Sequence, residues 1–482
     1  MTIASKPAEL FGRDIEWGRL MSFARPATVG AGLAIMYGRR RQGKTALLEA
    51  ATEATNGFYW QALQQSSAQN LRDFSQAWSA WRGHPNTAFP DWTQAIRALF
   101  EPSFAGSQLV SLDEFGYLID GAPEVPSVIQ SCLTPSGVRN GTTRLVVCGS
   151  SFSQIRQLLS SSAPLRGRAT LELVVGPFDY RTAANYWGLD GNLDAAFRLH
   201  ALVGGTPGYL PLAGAAPRQG NIDRWLAEHV LNTGSPLFRE GRVLVGEDPV
   251  LSDRSLYWGV LAAIADGKRR RSDIAKAVGR LDSALSFPLK VLVDGDYIEQ
   301  RPDPLHRGRS TWLLNDPIVR LHRVVIEPEQ RRLTRGLATE VIVDNRGRIA
   351  QLIYGPHLEW LAAEWVLAHA TGEEIGGRPR LVGAGVLAAR GQRHQLDLIA
   401  TEPAPNGGDH VHAIGEVKAD LQRVAVGQLD RLDTIAPLLG ARAAPAVQRV
   451  LVSRGGFTAE LERTASHRHD VTLVDLDRLY GH

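Results

Sequence analysis

The sequence predicts an α/β protein with more than one domain. Its 482 residues correspond to about three domains, at roughly 100–200 residues per domain. Short apolar runs alternate with helical segments over residues 1–180, an order typical of a parallel sheet that helices cover on both faces. The same alternation returns in residues 340–482. The region between is mostly helical, so we expect two α/β domains separated by helical ones.

The composition is that of a folded globular protein and excludes several classes. Hydrophobic residues make up 44% and charged residues 21% of the chain, which argues against disorder. The net charge of +3 excludes a generally polybasic nucleic-acid binder but leaves local basic surfaces open. No apolar run approaches the ~20 residues of a membrane helix, and no signal segment is apparent. Two cysteines form no metal or disulfide framework, so we expect a cytoplasmic protein.

Five apolar runs predict the strands of the first sheet, and helical patterns fall between them. The predicted strands are residues 33–37, 58–60, 109–112, 144–147 and 171–175. The predicted helices are residues 45–54, 69–81 and 92–100.

The segment between the first strand and the first helix matches the phosphate-binding pattern GxxxxGK(S/T) at every fixed position. Its residues are Gly38, Arg39, Arg40, Arg41, Gln42, Gly43, Lys44 and Thr45. The glycines allow backbone N–H groups to surround phosphate oxygens at a helix N-terminus. In this pattern Lys44 reaches the β- and γ-phosphates and the Thr45 hydroxyl ligates Mg²⁺. ATP and Mg²⁺ are therefore the expected cofactors. The alternative is a glycine-rich turn without a ligand.

Acidic and hydroxyl side chains follow the third and fourth predicted strands. Asp113 is expected in the outer shell of the magnesium ion, and Glu114 is expected to polarise the attacking water. The alternative is an acidic turn in solvent. Ser150 and Ser151 either sense the γ-phosphate or cap a helix.

Taken in order, the motifs of this region resemble those of a known family. They are FGRD at 11–14 with Glu16, YGRRRQGKT at 37–45, Asp113-Glu114, GSS at 149–151, PLRGR at 164–168 and GGTP at 204–207. Over roughly residues 8–330 the chain resembles the archaeal-type ATPases of the STAND/AAA+ class. The resemblance implies a P-loop NTPase parallel sheet as the ATPase core in residues 1–180, a helical lid in 181–245 and a winged helix in 246–335.

The same resemblance implies roles for two further motifs. The FGRD segment with Glu16 would pack near the adenine. Arg168 matches the arginine of the family's PLYGR motif, although Arg166 stands where tyrosine is usual. Arg168 would then contact the γ-phosphate, or it is a surface or core-capping arginine.

Residues 246–335 show three helical patterns followed by a hairpin, the order of a winged helix-turn-helix. Basic residues in 268–271 and 301–309 suggest contact with DNA phosphates. Pro288 interrupts the third helix. The alternative is a domain that packs against the ATPase core and relays its state.

In residues 340–482, two apolar strands carry charges that can meet across a hairpin. Asp397 lies on the first strand, and the period-2 rule places Glu416 and Lys418 on one face of the second. Asp397 and Glu416 would share Mg²⁺, and Lys418 would orient a water molecule against a phosphodiester. Glu359, on the preceding helix, could complete the acidic set. The alternative is a cross-strand ion pair on a solvated face.

This region is similar to the PD-(D/E)XK nuclease-like domain, an α/β restriction-endonuclease-like fold. That resemblance assigns Glu359, Asp397, Glu416 and Lys418 to the catalytic set. The first function hypothesis is an ATP-regulated, metal-dependent nuclease acting on DNA or RNA. The second is an ATP-driven switch whose C-terminal domain binds DNA or protein without cleavage, and the third is a chaperone-like regulator. No membrane partner is expected, and the sequence leaves self-association and a partner protein open.

Overall fold

The structure, a computed structural model, describes most of the chain as two compact units. The described residues are 5–25, 30–83, 87–101, 108–134, 142–150, 154–155, 158–159, 163–217, 221–246, 251, 253–403 and 409–481. Of these, unit 1 comprises the residues up to Phe178 together with 206–209, and unit 2 comprises the others. None of the helices in the described part of the chain has both the length and the apolar character needed to cross a bilayer.

Unit 1 contains a five-stranded sheet in the order β2-β3-β4-β1-β5, with every neighbouring pair parallel. Its strands are β1 (Gly32–Tyr37), β2 (Phe58–Gln61), β3 (Leu109–Asp113), β4 (Arg144–Gly149) and β5 (Ala169–Val174). The α/β prediction and the five strand positions are confirmed, with bounds that differ by one or two residues.

Helices cover this sheet on both faces. They are α1 (Asp14–Ala24), α2 (Lys44–Ala54), α3 (Ser67–Arg82), α4 (Trp92–Ala98), α5 (Phe115–Gly121) and α6 (Val125–Cys132). Side chains of β1 alternate between two cores: Leu33 and Ile35 belong to one, and Ala34 and Met36 to the other. This alternation follows from the period of two along a strand. It explains why the parallel strands read as continuous apolar runs.

Unit 2 begins with helices and a short hairpin. Its first elements are α7 (Tyr180–Tyr186), α8 (Leu193–Val203), α9 (Tyr209–Ala213), α10 (Ile222–His229), α11 (Pro236–Gly246), α12 (Arg254–Ala265), α13 (Arg271–Ala277), a 3₁₀-helix (Asp282–Leu285), α14 (Ser286–Asp294), β6 (Ile298–Pro302) and β7 (Ser310–Leu314). Pro288 lies in the first turn of α14, where its missing N–H costs no hydrogen bond. The predicted third helix is therefore split into a 3₁₀-helix and an α-helix.

Further helices then lead to a second sheet. They are α15 (Pro317–Leu321), a π-helix (His322–Ile326), α16 (Gln330–Leu333), α17 (Ala338–Asp344), α18 (Arg346–Ile349), a second π-helix (Ala350–Tyr354), α19 (Gly355–Ala368) and α20 (Gly372–Ile375).

The second sheet is mixed and has the order β12-β11-β10-β9-β8. Its elements are β8 (Leu381–Ala389), β9 (Gln392–Pro403), β10 (Asp409–Lys418), α21 (Val426–Ile435), a 3₁₀-helix (Ala436–Arg442), β11 (Ala443–Ser453), α22 (Ala459–Ser466), β12 (Val471–Val474) and α23 (Leu476–Tyr480). Strands β8, β9 and β10 pair antiparallel, whereas β10, β11 and β12 pair parallel. The predicted hairpin is thus confirmed as β9 and β10. Strand β8 was not predicted, because its small residues form no apolar run.

Candidate functional site

The loop between β1 and α2 needs glycine at two positions. A Cβ on Gly38 would lie 2.1 Å from the carbonyl oxygen of Val175, so the backbone of the segment after β5 leaves no room for a side chain. Gly43 has a φ of 80°, a conformation that L-residues rarely adopt. The predicted pattern therefore has a steric cause at both glycines.

Hydrogen bonds within this loop hold its shape. The backbone N–H of Arg39 donates to the Gln42 side-chain oxygen at 2.8 Å, and Lys44 Nζ donates to the Arg39 carbonyl at 2.8 Å. Lys44 is buried, and burial lowers the pKa of its amine, an effect that the charges of Glu114 and Asp113 oppose. The ammonium is thus held by a carbonyl rather than by a carboxylate, and it can exchange that carbonyl for a phosphate oxygen.

Arg13 stabilises the loop through a hydrogen bond to its backbone. Its Nη2 donates to the carbonyls of Gln42 and Gly176, both at 2.8 Å. Its Nη1 pairs with Glu16 at 2.8 Å, and its guanidinium lies 4.6 Å from the centre of the Phe178 ring. The FGRD motif with Glu16 was expected near the adenine. The structure shows that its arginine holds the phosphate-loop backbone.

Thr45 and Asp113, the two predicted magnesium ligands of unit 1, are neighbours. The Thr45 hydroxyl donates to Asp113 Oδ2 at 2.8 Å, and the Tyr59 hydroxyl donates to the same oxygen at 3.1 Å. Burial raises the pKa of Tyr59, and Asp113 adds to the effect, so this phenol remains a donor. Tyr59 was missed because one tyrosine at a strand centre resembles a core residue. The Thr45 hydroxyl beside the Asp113 carboxylate is a set of oxygen ligands that suits Mg²⁺.

Glu114 follows β3 in a strained backbone conformation. Its φ of 48° and ψ of 45° place it in the left-handed region, which is costly for a residue other than glycine. Its carboxylate accepts a hydrogen bond from the Ser150 hydroxyl at 3.0 Å. Ser150, expected as a phosphate sensor or a helix cap, thus positions Glu114 in this structure. Ser151 lies outside the described residues.

Residues 206–209 pack on the phosphate loop within unit 1. The Gly208 N–H donates to the Arg41 carbonyl at 3.0 Å, and a Cβ on Gly208 would lie 2.6 Å from the Arg41 Cβ. The GGTP motif was recognised from the sequence, but its contact with the phosphate loop was not predicted. Arg168 is exposed in the turn before β5.

Asp397, Glu416 and Lys418 converge in unit 2. Lys418 Nζ lies 2.9 Å from Glu416 Oε2 and 3.9 Å from Asp397 Oδ2. The Val417 N–H donates to Asp397 Oδ2 at 3.2 Å. The Glu416 side chain is 5% exposed and also accepts a hydrogen bond from Arg431 on α21. Arg431 was missed because an arginine on an amphipathic helix is ordinarily a solvated residue.

Glu359 was expected to complete the acidic set, which stays a prediction, and in this structure it pairs with an arginine. Glu359 Oε2 pairs with Arg269 Nη1 at 2.7 Å. In the described part of the chain, no three His, Cys, Asp or Glu side chains lie close enough to hold a metal ion together. Two protein carboxylates therefore remain for a metal at Asp397 and Glu416.

Several of the basic side chains that were expected to contact DNA form ion pairs with acidic residues. The pairs are Arg269 with Glu359, Arg271 with Asp282, Arg301 with Glu299 and Arg307 with Asp409. A phosphate that binds one of these guanidinium groups must first displace its carboxylate, at a cost that is small for exposed pairs.

Comparisons with known proteins give distant similarities. No protein-family model matches the chain. An uncharacterised protein of Methanocaldococcus jannaschii is 25% identical over 309 residues, and the match spans 63% of this chain and 66% of that protein, just under two thirds of its length. The chain is similar to a Walker-type ATPase of Pyrococcus abyssi, with 19% identity, a TM-score of 0.48 and coverage of 67% of this chain and 98% of the other. It is also similar to the ORC2 protein of Aeropyrum pernix, with 14% identity, a TM-score of 0.40 and coverage of 69% and 95%.

Proposed function

We propose that unit 1 binds and hydrolyses ATP. The observation that supports this most is the meeting of Lys44, Thr45, Asp113 and Glu114 at the carboxyl edge of the parallel sheet, around a loop that has space only for glycine at position 38. Ligands of open α/β sheets bind at this edge. The assignment of residues 1–180 as an ATPase core of the STAND/AAA+ class, 181–245 as a lid and 246–335 as a winged helix belongs to the same proposal.

Each side chain has a role that follows from its position. Lys44 exchanges the Arg39 carbonyl for the β- and γ-phosphate oxygens, and the loop N–H groups bind the same phosphates. Thr45 and Asp113 would hold Mg²⁺, which neutralises phosphate charge when bound. Glu114 accepts a proton from the attacking water as the bond between the γ-phosphorus and ADP breaks. Ser150 orients that carboxylate.

Two variants separate binding from hydrolysis. Lys44→Ala should lose ATP binding in calorimetry, because it removes the phosphate-facing ammonium. Glu114→Gln should bind ATP like the unmodified protein but hydrolyse it about 10²-fold or more slowly, since only the proton acceptor is lost. Lys290→Ala, which removes an exposed lysine of unit 2, is the matched control and should change neither quantity. Unchanged ATP affinity and unchanged stoichiometry in Lys44→Ala would contradict the proposal.

A second activity is supported by the convergence of Asp397, Glu416 and Lys418 on β9 and β10. We propose that residues 340–482 form a nuclease-like domain that hydrolyses phosphodiesters of DNA or RNA with a divalent metal. The two carboxylates would hold the metal, which polarises the phosphate when bound. Lys418 would orient the attacking water. Arg431 donates to Glu416 at one of the oxygens that a metal would use, so it must release Glu416 first.

Cleavage of labelled DNA and RNA with Mg²⁺ or Mn²⁺ tests this second proposal. Asp397→Ala and Glu416→Ala should each abolish cleavage, while ATP turnover by unit 1 should remain. Asp430→Ala, which removes an exposed carboxylate of α21, is the control and should cleave normally. Binding of DNA without cleavage in every variant would favour the switch hypothesis. Cleavage that survives Asp397→Ala would place the activity elsewhere.

A further inference from the structure

We propose that unit 2 contains a binding site for an organic phosphate of nucleotide size, separate from the ATP site proposed for unit 1. The site is a cavity of about 990 Å³ lined by α11, α12, the first π-helix and α16. This volume lies at the upper end of the range typical of small-molecule sites. Segments of π-helix occur frequently at functional sites.

Two arginines make the cavity positively charged. Arg239 and Arg242 lie three residues apart on α11, a spacing that places them on one face of the helix. Both side chains are exposed and both line the cavity. Neither forms an ion pair or hydrogen bond with any residue in the described ranges. This contrasts with Arg269, Arg271, Arg301 and Arg307, which are paired with carboxylates.

Among the described residues that line the cavity, the one acidic side chain does not cancel this charge. Glu327 is bound by Arg323, so these two side chains neutralise each other. His322 is buried, and burial lowers its pKa to about 4, so the imidazole is neutral near pH 7. Arg239 and Arg242 therefore give the described lining of the cavity a net positive charge that an anion can neutralise.

One wall of the cavity is flat and held in place. The Arg323 guanidinium lies 4.3 Å from the centre of the Trp258 ring, and Arg323 Nη2 donates to the Trp258 carbonyl at 2.7 Å. Phe238 and Ile326 also line the cavity. A ligand that fits has an anionic group for the arginines and an apolar, planar part for this wall. Since guanidinium groups pair bidentately with phosphate oxygens, an organic phosphate combines both properties.

The phosphate has two sources that share this chemistry: a free nucleotide and the backbone of a single-stranded oligonucleotide. The test uses the full chain with Lys44→Ala, which removes the phosphate-loop lysine. AMP, ATP and a short single-stranded oligothymidylate are titrated by calorimetry at low and high salt. We expect one class of probe to bind and the affinity to fall as salt rises.

The double variant Arg239→Gln/Arg242→Gln, made in the same background, should weaken that binding by about tenfold or more. Arg254→Gln, an exposed arginine of α12 that does not line the cavity, should bind like the background protein. Equal thermal unfolding of both variants shows that the fold is retained. Preference for AMP or ATP identifies a free nucleotide, and preference for the oligonucleotide identifies a strand. The proposal is overturned if no probe binds or if the double variant binds unchanged.

The same variants distinguish this site from the ATP site of unit 1. Nucleotide binding that survives Lys44→Ala and disappears in the double arginine variant belongs to the cavity. Binding that disappears with Lys44→Ala alone belongs to the phosphate loop. Either proposal can therefore fail while the other stands.

Discussion

At the scale of single residues, Gly38 determines whether the phosphate loop can form. Its missing side chain allows the Val175 carbonyl to approach, and that carbonyl belongs to backbone that cannot move independently of β5. Gly38→Ala should lower the free energy of unfolding by about 2 kcal/mol, within the range for overpacked sites, and should reduce ATP binding because the loop shifts.

Gly18 offers a matched control for this substitution. It lies in α1, and a Cβ there would meet no atom of the described residues within 4 Å outside the backbone of its own helix. Gly18→Ala should leave stability unchanged or raise it by about 0.5–1 kcal/mol, because alanine favours helix. Urea unfolding measures both variants, and equal stability of Gly38→Ala and the unmodified protein would contradict the steric account.

At the scale of elements, the ion pair between Arg269 and Glu359 joins the segment before α13 to α19. The two side chains are 28% and 23% exposed, so solvent screens the pair in part. Glu359→Gln should lower the free energy of unfolding by about 1 kcal/mol. It should leave any metal-dependent cleavage unchanged, since Glu359 is not one of the converging carboxylates.

Asp397→Asn is the variant to compare with Glu359→Gln. It removes a charge from the group that contacts Lys418 and should abolish the cleavage that Glu359→Gln retains. The measurement is the cleavage rate of both variants at saturating Mn²⁺. Loss of cleavage in Glu359→Gln with an intact fold would return Glu359 to the catalytic set.

At the scale of the whole molecule, buried histidines make stability depend on pH. Burial lowers the pKa of His322 to about 4, and burial beside His200 lowers that of His357 well below its usual value. In the unfolded chain both titrate near pH 6.5. Below about pH 6.5 the unfolded state therefore binds more protons, and the free energy of unfolding falls by about 1.4 kcal/mol per pH unit for each histidine.

Urea unfolding between about pH 7 and pH 5 checks this sign. His322→Leu should reduce the slope of the free energy of unfolding against pH by the contribution of one histidine. His467→Gln, an exposed position, should show the same slope as the unmodified protein. Stability that rises on acidification, or an unchanged slope in His322→Leu, would contradict the assignment.

Consecutive residues made the phosphate loop recognisable, and apolar runs located all five strands of unit 1 together with β9 and β10. Strand β8 was not predicted, because its glycines and alanines give no hydrophobic period. The pairing of Glu359 with Arg269 was not predicted, because a position on a helix near the strands says nothing about the direction of the side chain.

The sequence by itself determined the parallel sheet, its phosphate loop and the meeting of Asp397 with Glu416 and Lys418, because short-range spacing governs each of them. Only the tertiary structure decided which partner each arginine binds. Arg13 binds carbonyls 29 and 163 residues away, and Arg269 binds a carboxylate 90 residues away. Long, flexible side chains select partners through the packing of whole elements, which no local period specifies.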